Sequence, residues 1–172
     1  MAFLAQIVGF ASFGTLLLSY QMKKRKHIIA INAISSILYV LQYFMLRAFE
    51  GAVIDSLSAV STVVAHKKNS IKKYATAVFI IMNIAITIAG LALYKNIFSL
   101  FPIAGALLQT DALWITDEKK IRLLSFLGTP FWIVYNLVSC AYASALGSIF
   151  TLVSIGIAIW RYDFSKRRSK IS

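Results

Sequence analysis

The sequence has little of what a metalloprotein, a disulfide-stabilised domain or an enzyme needs. One cysteine among 172 residues excludes a disulfide framework and a thiolate metal cluster. Charged residues make up only 14% of the chain, and acidic residues are the scarcest, with six against 18 Lys and Arg. No HExxH pair, glycine-rich phosphate loop or Ser/His/Asp set occurs. We therefore expect no enzymatic activity, no catalytic residues, no metal and no cofactor.

Apolar residues dominate what is present. They account for 59% of the chain, and the mean hydropathy is +0.77. They form long runs that short basic segments interrupt. A bilayer admits only helices or closed barrels, and the period-two alternation of barrel strands is missing. The sequence therefore predicts an all-α, polytopic membrane protein.

The net charge of +12 is concentrated in short segments beside the apolar runs. This placement is typical of topology signals, so we expect no nucleic-acid partner. Arg47 and Lys95 stand apart from the other 16 Lys and Arg, which follow the first, third and fifth predicted helices or lie in the tail. So lopsided a split predicts a multi-pass membrane protein with its N-terminus outside and its C-terminus cytoplasmic. The seven predicted helices span about residues 3–20, 28–46, 52–65, 74–94, 97–115, 123–143 and 146–160.

Two of these apolar spans carry a stripe of polar side chains at three- and four-residue steps. In the segment 32–51 the stripe is Asn32, Ser35, Ser36, Tyr39, Gln42 and Tyr43, and in 128–147 it is Thr129, Trp132, Tyr135, Asn136 and Ser139. A shift of 96 residues places Gly51 on Gly147 and Tyr39 on Tyr135. This match predicts an internal repeat.

The repeat predicts a division of the chain into four parts. A first three-helix repeat covers residues 1–66, and a linker helix with its basic loop covers 67–95. A second three-helix repeat covers 96–161, and a basic cytoplasmic tail covers 162–172. Because the linker helix returns the chain across the membrane, the two three-helix bundles are expected to be parallel.

The two stripes are candidates for the lining of a central cavity. Their polar and aromatic side chains offer hydrogen bonds and a stacking surface, which suit a small polar ring such as a sugar or a nucleoside-like solute. The predicted substrate-binding residues are Asn32, Tyr39, Gln42, Trp132, Tyr135 and Asn136. The alternative is that these side chains hold helices together, each contributing about 0.6 kcal/mol.

Two carboxylates lie inside predicted helices. Asp55 shares a polar face with Ser58 and Thr62, and we expect it to bind substrate or a proton. Asp111 lies near the inner end of the fifth helix. There it is expected to act as a gate, paired with one of the nearby cations Lys119, Lys120 and Arg122.

Three stretches carry a resemblance to known families. They are ISSILYVLQY (34–43), LLSFLGTPFWIVYN (123–136) and IAIWRYD (157–163). These stretches resemble the bacterial inner-membrane YgjV family, and the predicted layout resembles the SWEET, PQ-loop and PnuC-like transporters. That resemblance implies a SWEET-like fold of seven helices, with two triple-helix bundles joined by a linker helix. The Pro-Gln dipeptide that marks PQ-loop proteins is absent, so the resemblance does not extend to sugar transport as such.

We thus expect a transporter that moves a small polar solute by alternating access, with that solute and the lipid bilayer as its partners. The alternative is a membrane interaction or structural protein that has the same fold and does not transport. A hydrated space between the second and sixth helices favours the carrier, whereas a filled seam favours the alternative. The sequence does not define the oligomeric state.

Overall fold

The computed structural model describes residues 2–21, 25–68, 70–115 and 117–161. Within these residues the chain forms seven α-helices, one 3-10 turn at Ile97–Ser99, and no strand. The helices are α1 (Ala2–Gln21), α2 (Arg25–Met45), α3 (Phe49–His66), α4 (Ala75–Ala92), α5 (Leu100–Trp114), α6 (Glu118–Val138) and α7 (Tyr142–Ile159). The predicted all-helical class is therefore confirmed. The predicted tail, 162–172, lies outside the described residues.

Four segments in the described part of the chain are long and apolar enough to cross a membrane: α4, α5 with its 3-10 turn, α6 and α7. The apolar parts of α1 and α2 that meet the test, Ala2–Leu16 and Ile34–Met45, are shorter. Helix α3 carries Glu50 and Asp55, which lower its hydropathy. Large apolar side chains cover the outside of the bundle, as a hydrocarbon environment requires.

Six helices contact one another in closed order. Helix α1 packs on α2, α2 on α3, α3 on α5, α5 on α6, α6 on α7, and α7 returns to α1. Helix α4 packs on α3 and α5 from outside this ring. Only 11% of its residues are buried, compared with 39% of the span that contains α5. The buried core combines side chains of α2, α3, α5 and α6 with Ile86 of α4.

The turns α2–α3 and α6–α7 have the same backbone structure. Arg47 and Cys140 have left-handed φ angles of 58° and 56°. The next residues, Ala48 and Ala141, both have φ −88° and ψ 61°. Ala48 N donates to Tyr43 O at 2.9 Å, and Ala141 N donates to Asn136 O at 2.8 Å. Equivalent positions are thus 93 residues apart, the separation between Tyr43 and Asn136.

The helix crossings α1–α2 and α5–α6 follow the same spacing. Ser12 and Ser35 exchange hydrogen bonds, each hydroxyl donating to the other residue's carbonyl at 2.7 and 2.8 Å. At the equivalent crossing Gly105 and Gly128 bring the two backbones together, because a Cβ on either glycine would lie within 3.2 Å of the other's carbonyl oxygen. Small residues permit this close approach of helices.

The predicted 96-residue register is therefore wrong by three residues. Three residues are close to one helical turn, so both registers place the polar stripes on the same helix faces. The glycines Gly51 and Gly147, which suggested the register, lie inside α3 and α7 rather than at turns. For the same reason the predicted α6–α7 boundary, near Ala143, lies beyond the real turn, Ser139–Ala141.

Candidate functional site

The polar stripe of α2 faces the inside of the ring. Gln42 is fully buried, and its Oε1 accepts a 2.5 Å hydrogen bond from the Ser144 hydroxyl of α7. Gly9 of α1 lies against the Gln42 amide, so that a Cβ there would collide with it. The next residue, Tyr43, is 3% exposed and also points inward. Helix α2 therefore delivers an amide and a phenol to the centre of the bundle.

Helix α6 supplies the opposite side of the centre. The Tyr43 hydroxyl donates to Asn136 Oδ1 at 2.7 Å, which links two positions that are equivalent in the 93-residue register. Asn136 Nδ2 donates to the Ser148 hydroxyl of α7 at 3.3 Å. These bonds join α2, α6 and α7 at a buried point, since Asn136 is 1% exposed.

Tyr135 completes the link between α6 and α3. Its hydroxyl accepts from Gly51 N at 2.8 Å and donates to Ala48 O at 3.4 Å. Gly51 N belongs to the first turn of α3, where backbone N–H groups lack partners within the helix. Because α3 has no side-chain cap of its own, Tyr135 satisfies this group. Gln6 of α1 does the same for α7, since its Oε1 accepts from Ala143 N at 3.1 Å.

Three aromatic rings fill the space between α2 and α6. Tyr43 stacks on Trp132 with ring centroids 6.4 Å apart, and Tyr135 lies 6.0 Å from Tyr43 and 6.2 Å from Trp132. We call Tyr43, Trp132 and Tyr135 the aromatic cluster. Of the predicted residues outside the cluster, Asn136 accepts the Tyr43 hydroxyl bond, and Gln42 precedes Tyr43 and bonds to Ser144. The seam is filled in this structure rather than open, and a filled seam favours the alternative of a membrane interaction or structural protein.

Three buried polar atoms around this cluster have no hydrogen-bond partner: Gln42 Nε2, Trp132 Nε1 and Asp55 Oδ2. Asp55 of α3 interacts electrostatically with Tyr43 of the aromatic cluster. An unsatisfied buried polar atom costs about 1–3 kcal/mol. The centre thus retains two N–H donors and one carboxylate oxygen that a polar molecule could satisfy.

Tyr39 lies one turn before Tyr43 and packs against the edge of the same core. Its hydroxyl is within 3.2 Å of the position that a Cβ on Gly147 would occupy. The side chain of Asn32 is outside the part of the chain that the structure describes. The structure therefore brings Tyr39, Gln42, Trp132, Tyr135 and Asn136 together. Asp55 interacts electrostatically with Tyr43, and of Asn32 only the backbone, in α2, is described.

Asp111 lies apart from this group. It lines a cavity of about 590 Å³ at the lysine-rich end of the bundle, between α4, α5, α6 and the α3–α4 loop. Its Oδ1 is buried without a hydrogen-bond partner. Among the described residues no ion pair joins Asp111 to Lys119, Lys120 or Arg122, and the ion pair Glu50–Lys95 lies at the other end of the bundle. The predicted rim ion pair is thus not formed.

A second cavity, of about 320 Å³, opens at the other end of the bundle and reaches Tyr135. Glu50 and Lys95 line it and form an ion pair of 3.2 Å, and the Ser99 hydroxyl donates to the same carboxylate at 3.3 Å. Tyr135 is therefore the member of the aromatic cluster that lines this cavity.

Sequence reasoning missed Tyr43 and Ser144 at the centre and Gln6 at the N-terminus of α7. Tyr43 was part of the polar stripe but was not selected for the site, although it makes the bond across the ring. Ser144 was missed because the predicted turn covered it, and Gln6 because the first helix reads as uniformly apolar. The 93-residue register would have identified Tyr43 and Ser144 as the equivalents of Asn136 and Gly51.

The apolar exterior, the spanning helices and the buried polar centre define a polytopic α-helical membrane protein. The Imp-YgjV family, described as bacterial inner membrane protein, matches residues 3–166. The chain belongs to this family and is an integral inner-membrane protein. Comparison with curated proteins and with solved structures gives no match.

Proposed function

We propose that this protein is a carrier that moves a small polar solute across the inner membrane by alternating access. In this proposal α1–α3 and α5–α7 are two parallel repeats, α4 is the linker, and the fold is SWEET-like. The N-terminus is outside, and the lysine-rich end is cytoplasmic. The protein performs no chemistry on its solute.

The matching turns and crossings support two repeats related by an axis along the membrane normal. The Tyr43–Asn136 bond joins equivalent positions and therefore lies where such an axis would pass. Transporters built from repeats bind their substrate at the repeat interface near the bilayer midplane. In this proposal the aromatic cluster lies at the repeat interface, displaced from the midplane toward the α2–α3 and α6–α7 turns, because Tyr43 and Tyr135 lie in the last turn of α2 and of α6.

The observation that carries the proposal is the set of unpartnered buried atoms at the centre. Gln42 Nε2 and Trp132 Nε1 can donate, and Asp55 Oδ2 can accept, while the three rings offer stacking faces. A sugar or nucleoside-like ring presents the matching hydroxyls and a flat or apolar face. The substrate site then comprises Asn32, Tyr39, Gln42, Asp55, Trp132, Tyr135 and Asn136.

The filled seam corresponds to a closed state in this scheme. Entry from outside requires Tyr135 to leave Gly51 and Ala48, because its ring forms the floor of the outer cavity. Asp111, at the opposite end, would act as the cytoplasmic gate. Rocking of one repeat against the other would open the two ends in turn.

Trp132 provides a direct test of the site. The chain has three tryptophans, so Trp114→Phe with Trp160→Phe leaves Trp132 as the sole indole emitter. Addition of sugars, nucleosides and amino acids in turn to this purified protein should give a saturable change in emission for one class. The same class should accumulate in proteoliposomes that contain the wild-type chain.

Asn136→Ala should weaken binding of that class by about tenfold, the effect of losing about 1.4 kcal/mol. Thr87→Val is the matched control, since Thr87 of α4 bonds only within its own helix, to Asn83 O at 2.9 Å. If no class changes Trp132 emission and none accumulates, the carrier proposal fails. The alternative on the same fold, a non-transporting interaction or structural protein, would then be favoured by the filled seam.

Proton coupling through Asp55 is a separate part of the proposal. Carboxylates inside membrane helices commonly mark proton or substrate pathways. Asp55→Asn removes the titratable group with little change of shape. Uptake into vesicles should then lose its dependence on an imposed pH gradient. Uptake by the variant that remains equally pH-dependent would eliminate this role.

A further inference from the structure

The cavity at the lysine-rich end combines opposite charges with apolar walls. Lys68 and Lys72 of the α3–α4 loop and Asp111 of α5 line it together with Phe79, Trp114 and Leu124. It lies on the α4 side of α5, away from the aromatic cluster. Its volume of about 590 Å³ is sufficient for a small molecule or a lipid headgroup.

The anionic side of this cavity has a carboxylate oxygen without a hydrogen-bond partner. The Asn83 side chain interacts with the Asp111 carboxylate, but Oδ1 is buried without a hydrogen-bond partner, and no ion pair to Asp111 occurs among the described residues. Burying a carboxylate oxygen unpaired is costly. A protonated amine in the cavity would supply the missing charge and hydrogen bond.

The cationic side can take an anion. The Lys68 ammonium donates a hydrogen bond of 3.1 Å to the carbonyl oxygen of Trp114, in the last turn of α5. Two further protons of the ammonium can bind another acceptor. Lys72 is exposed at the same rim. Two lysines at the end of membrane-spanning helices are suited to the phosphate of a lipid headgroup or of a soluble phosphate ester.

We propose that this cavity binds a zwitterion that carries a phosphate and a primary ammonium, the chemistry of a phosphoethanolamine group. The phosphate meets Lys68 and Lys72, and the ammonium meets Asp111. Phe79 and Leu124 form apolar walls, and the neighbouring Ile80 and Leu123 are exposed on α4 and α6. A phosphatidylethanolamine lipid and free phosphoethanolamine share the recognised group.

Native mass spectrometry of the full chain can test this assignment. The purified protein is offered equal amounts of phosphatidylethanolamine and phosphatidylcholine with identical acyl chains. The quaternary choline has no N–H to donate, so we expect about a tenfold preference for the ethanolamine lipid, equivalent to about 1.4 kcal/mol. Equal retention of the two lipids would overturn the proposal.

Variants assign the two ends of the headgroup. Asp111→Asn should abolish the preference, and Lys68→Gln with Lys72→Gln should weaken retention of both lipids. Lys73→Gln is the matched control, because Lys73 lies over the Tyr74 ring, 5.6 Å from its centroid. Circular dichroism verifies that each variant is folded. An unchanged preference in Asp111→Asn would contradict the assignment even if the lysine variants behave as expected.

A separate arm with soluble phosphoethanolamine distinguishes the source. If it displaces the lipid and its binding requires Asp111, the site takes the group from solution. If only the lipid binds, the bilayer is the source. If neither binds with dependence on Asp111, the inference is wrong.

Discussion

At the scale of single residues, glycines set how closely the helices approach the central side chains. A Cβ on Gly51 would lie 2.5 Å from Tyr135 Cε1 and 2.8 Å from its hydroxyl. Gly51→Ala should therefore displace Tyr135, the residue that satisfies Gly51 N. We expect a loss of about 1–3 kcal/mol in unfolding free energy, the usual cost of overpacking. Unfolding in detergent micelles followed by circular dichroism measures it.

Gly14→Ala is the control for this substitution. A Cβ on Gly14 of α1 would meet no atom within 4 Å. Since glycine inside a helix is about 0.5–1 kcal/mol less favourable than alanine, this variant should be slightly more stable than wild type. A Gly51→Ala protein as stable as Gly14→Ala would contradict the close packing of Tyr135 on α3.

The bond between Tyr43 and Asn136 can be measured by a double-mutant cycle. Tyr43→Phe removes the hydroxyl, and Asn136→Ala removes its acceptor at 2.7 Å. Hydrogen bonds between membrane helices average about 0.6 kcal/mol and reach about 1.7 kcal/mol. We expect a coupling energy in this range in unfolding experiments. Strictly additive losses would show that the bond contributes nothing to stability.

At the scale of elements, the turn between α2 and α3 depends on one left-handed residue. Arg47 has φ 58°, a conformation that costs a residue with a Cβ about 1–2 kcal/mol. We expect the stability of the protein to fall in the order Arg47→Gly, Arg47→Ala, Arg47→Val. The valine variant is the least stable because branching at Cβ is poorly tolerated at positive φ. Thermal unfolding of the three variants gives the order. An Arg47→Val protein with the same unfolding temperature as Arg47→Gly would contradict the left-handed conformation of residue 47 in this turn.

The helices themselves were predictable, because apolar runs and basic segments alternate along the chain. The α6–α7 turn was not predictable, since its residues Ser139, Cys140 and Ala141 include neither glycine nor proline, the strongest sequence signals of a turn. Gly147 offered a misleading turn signal, although it serves to accommodate Phe13 and Tyr39 against α7. Local signals place helices, whereas tertiary contacts decide where this hairpin bends.

The candidate site was predictable in part for a related reason. Helical periodicity identified the inward faces that hold Gln42, Trp132 and Asn136. It could not show that Tyr43 and Asn136 bond to each other, nor that Asp111 lies in a separate cavity. Those facts depend on how distant helices are aligned, and a three-residue shift of register leaves the periodic pattern almost unchanged.

At the scale of the whole molecule, the proposed orientation places the α6–α7 turn outside the cell membrane. Cys140 is exposed in this turn and is the sole cysteine of the chain. A membrane-impermeant maleimide should therefore label Cys140 in intact spheroplasts. The reaction needs no engineered cysteine, so it reports on the wild-type protein.

The opposite end requires a reporter of its own. In a Cys140→Gly background, which suits the left-handed φ of 56° at that position, Lys73→Cys places a thiol in the exposed α3–α4 loop. This thiol should react only after lysis, because 16 of the 18 Lys and Arg assign that end to the cytoplasm. If Cys140 of the wild type and the cysteine introduced at position 73 of the variant both react from outside, the chain crosses the membrane an even number of times between these two positions. Two parallel repeats joined by a single returning helix need an odd number, so this result would remove the geometry on which alternating access depends.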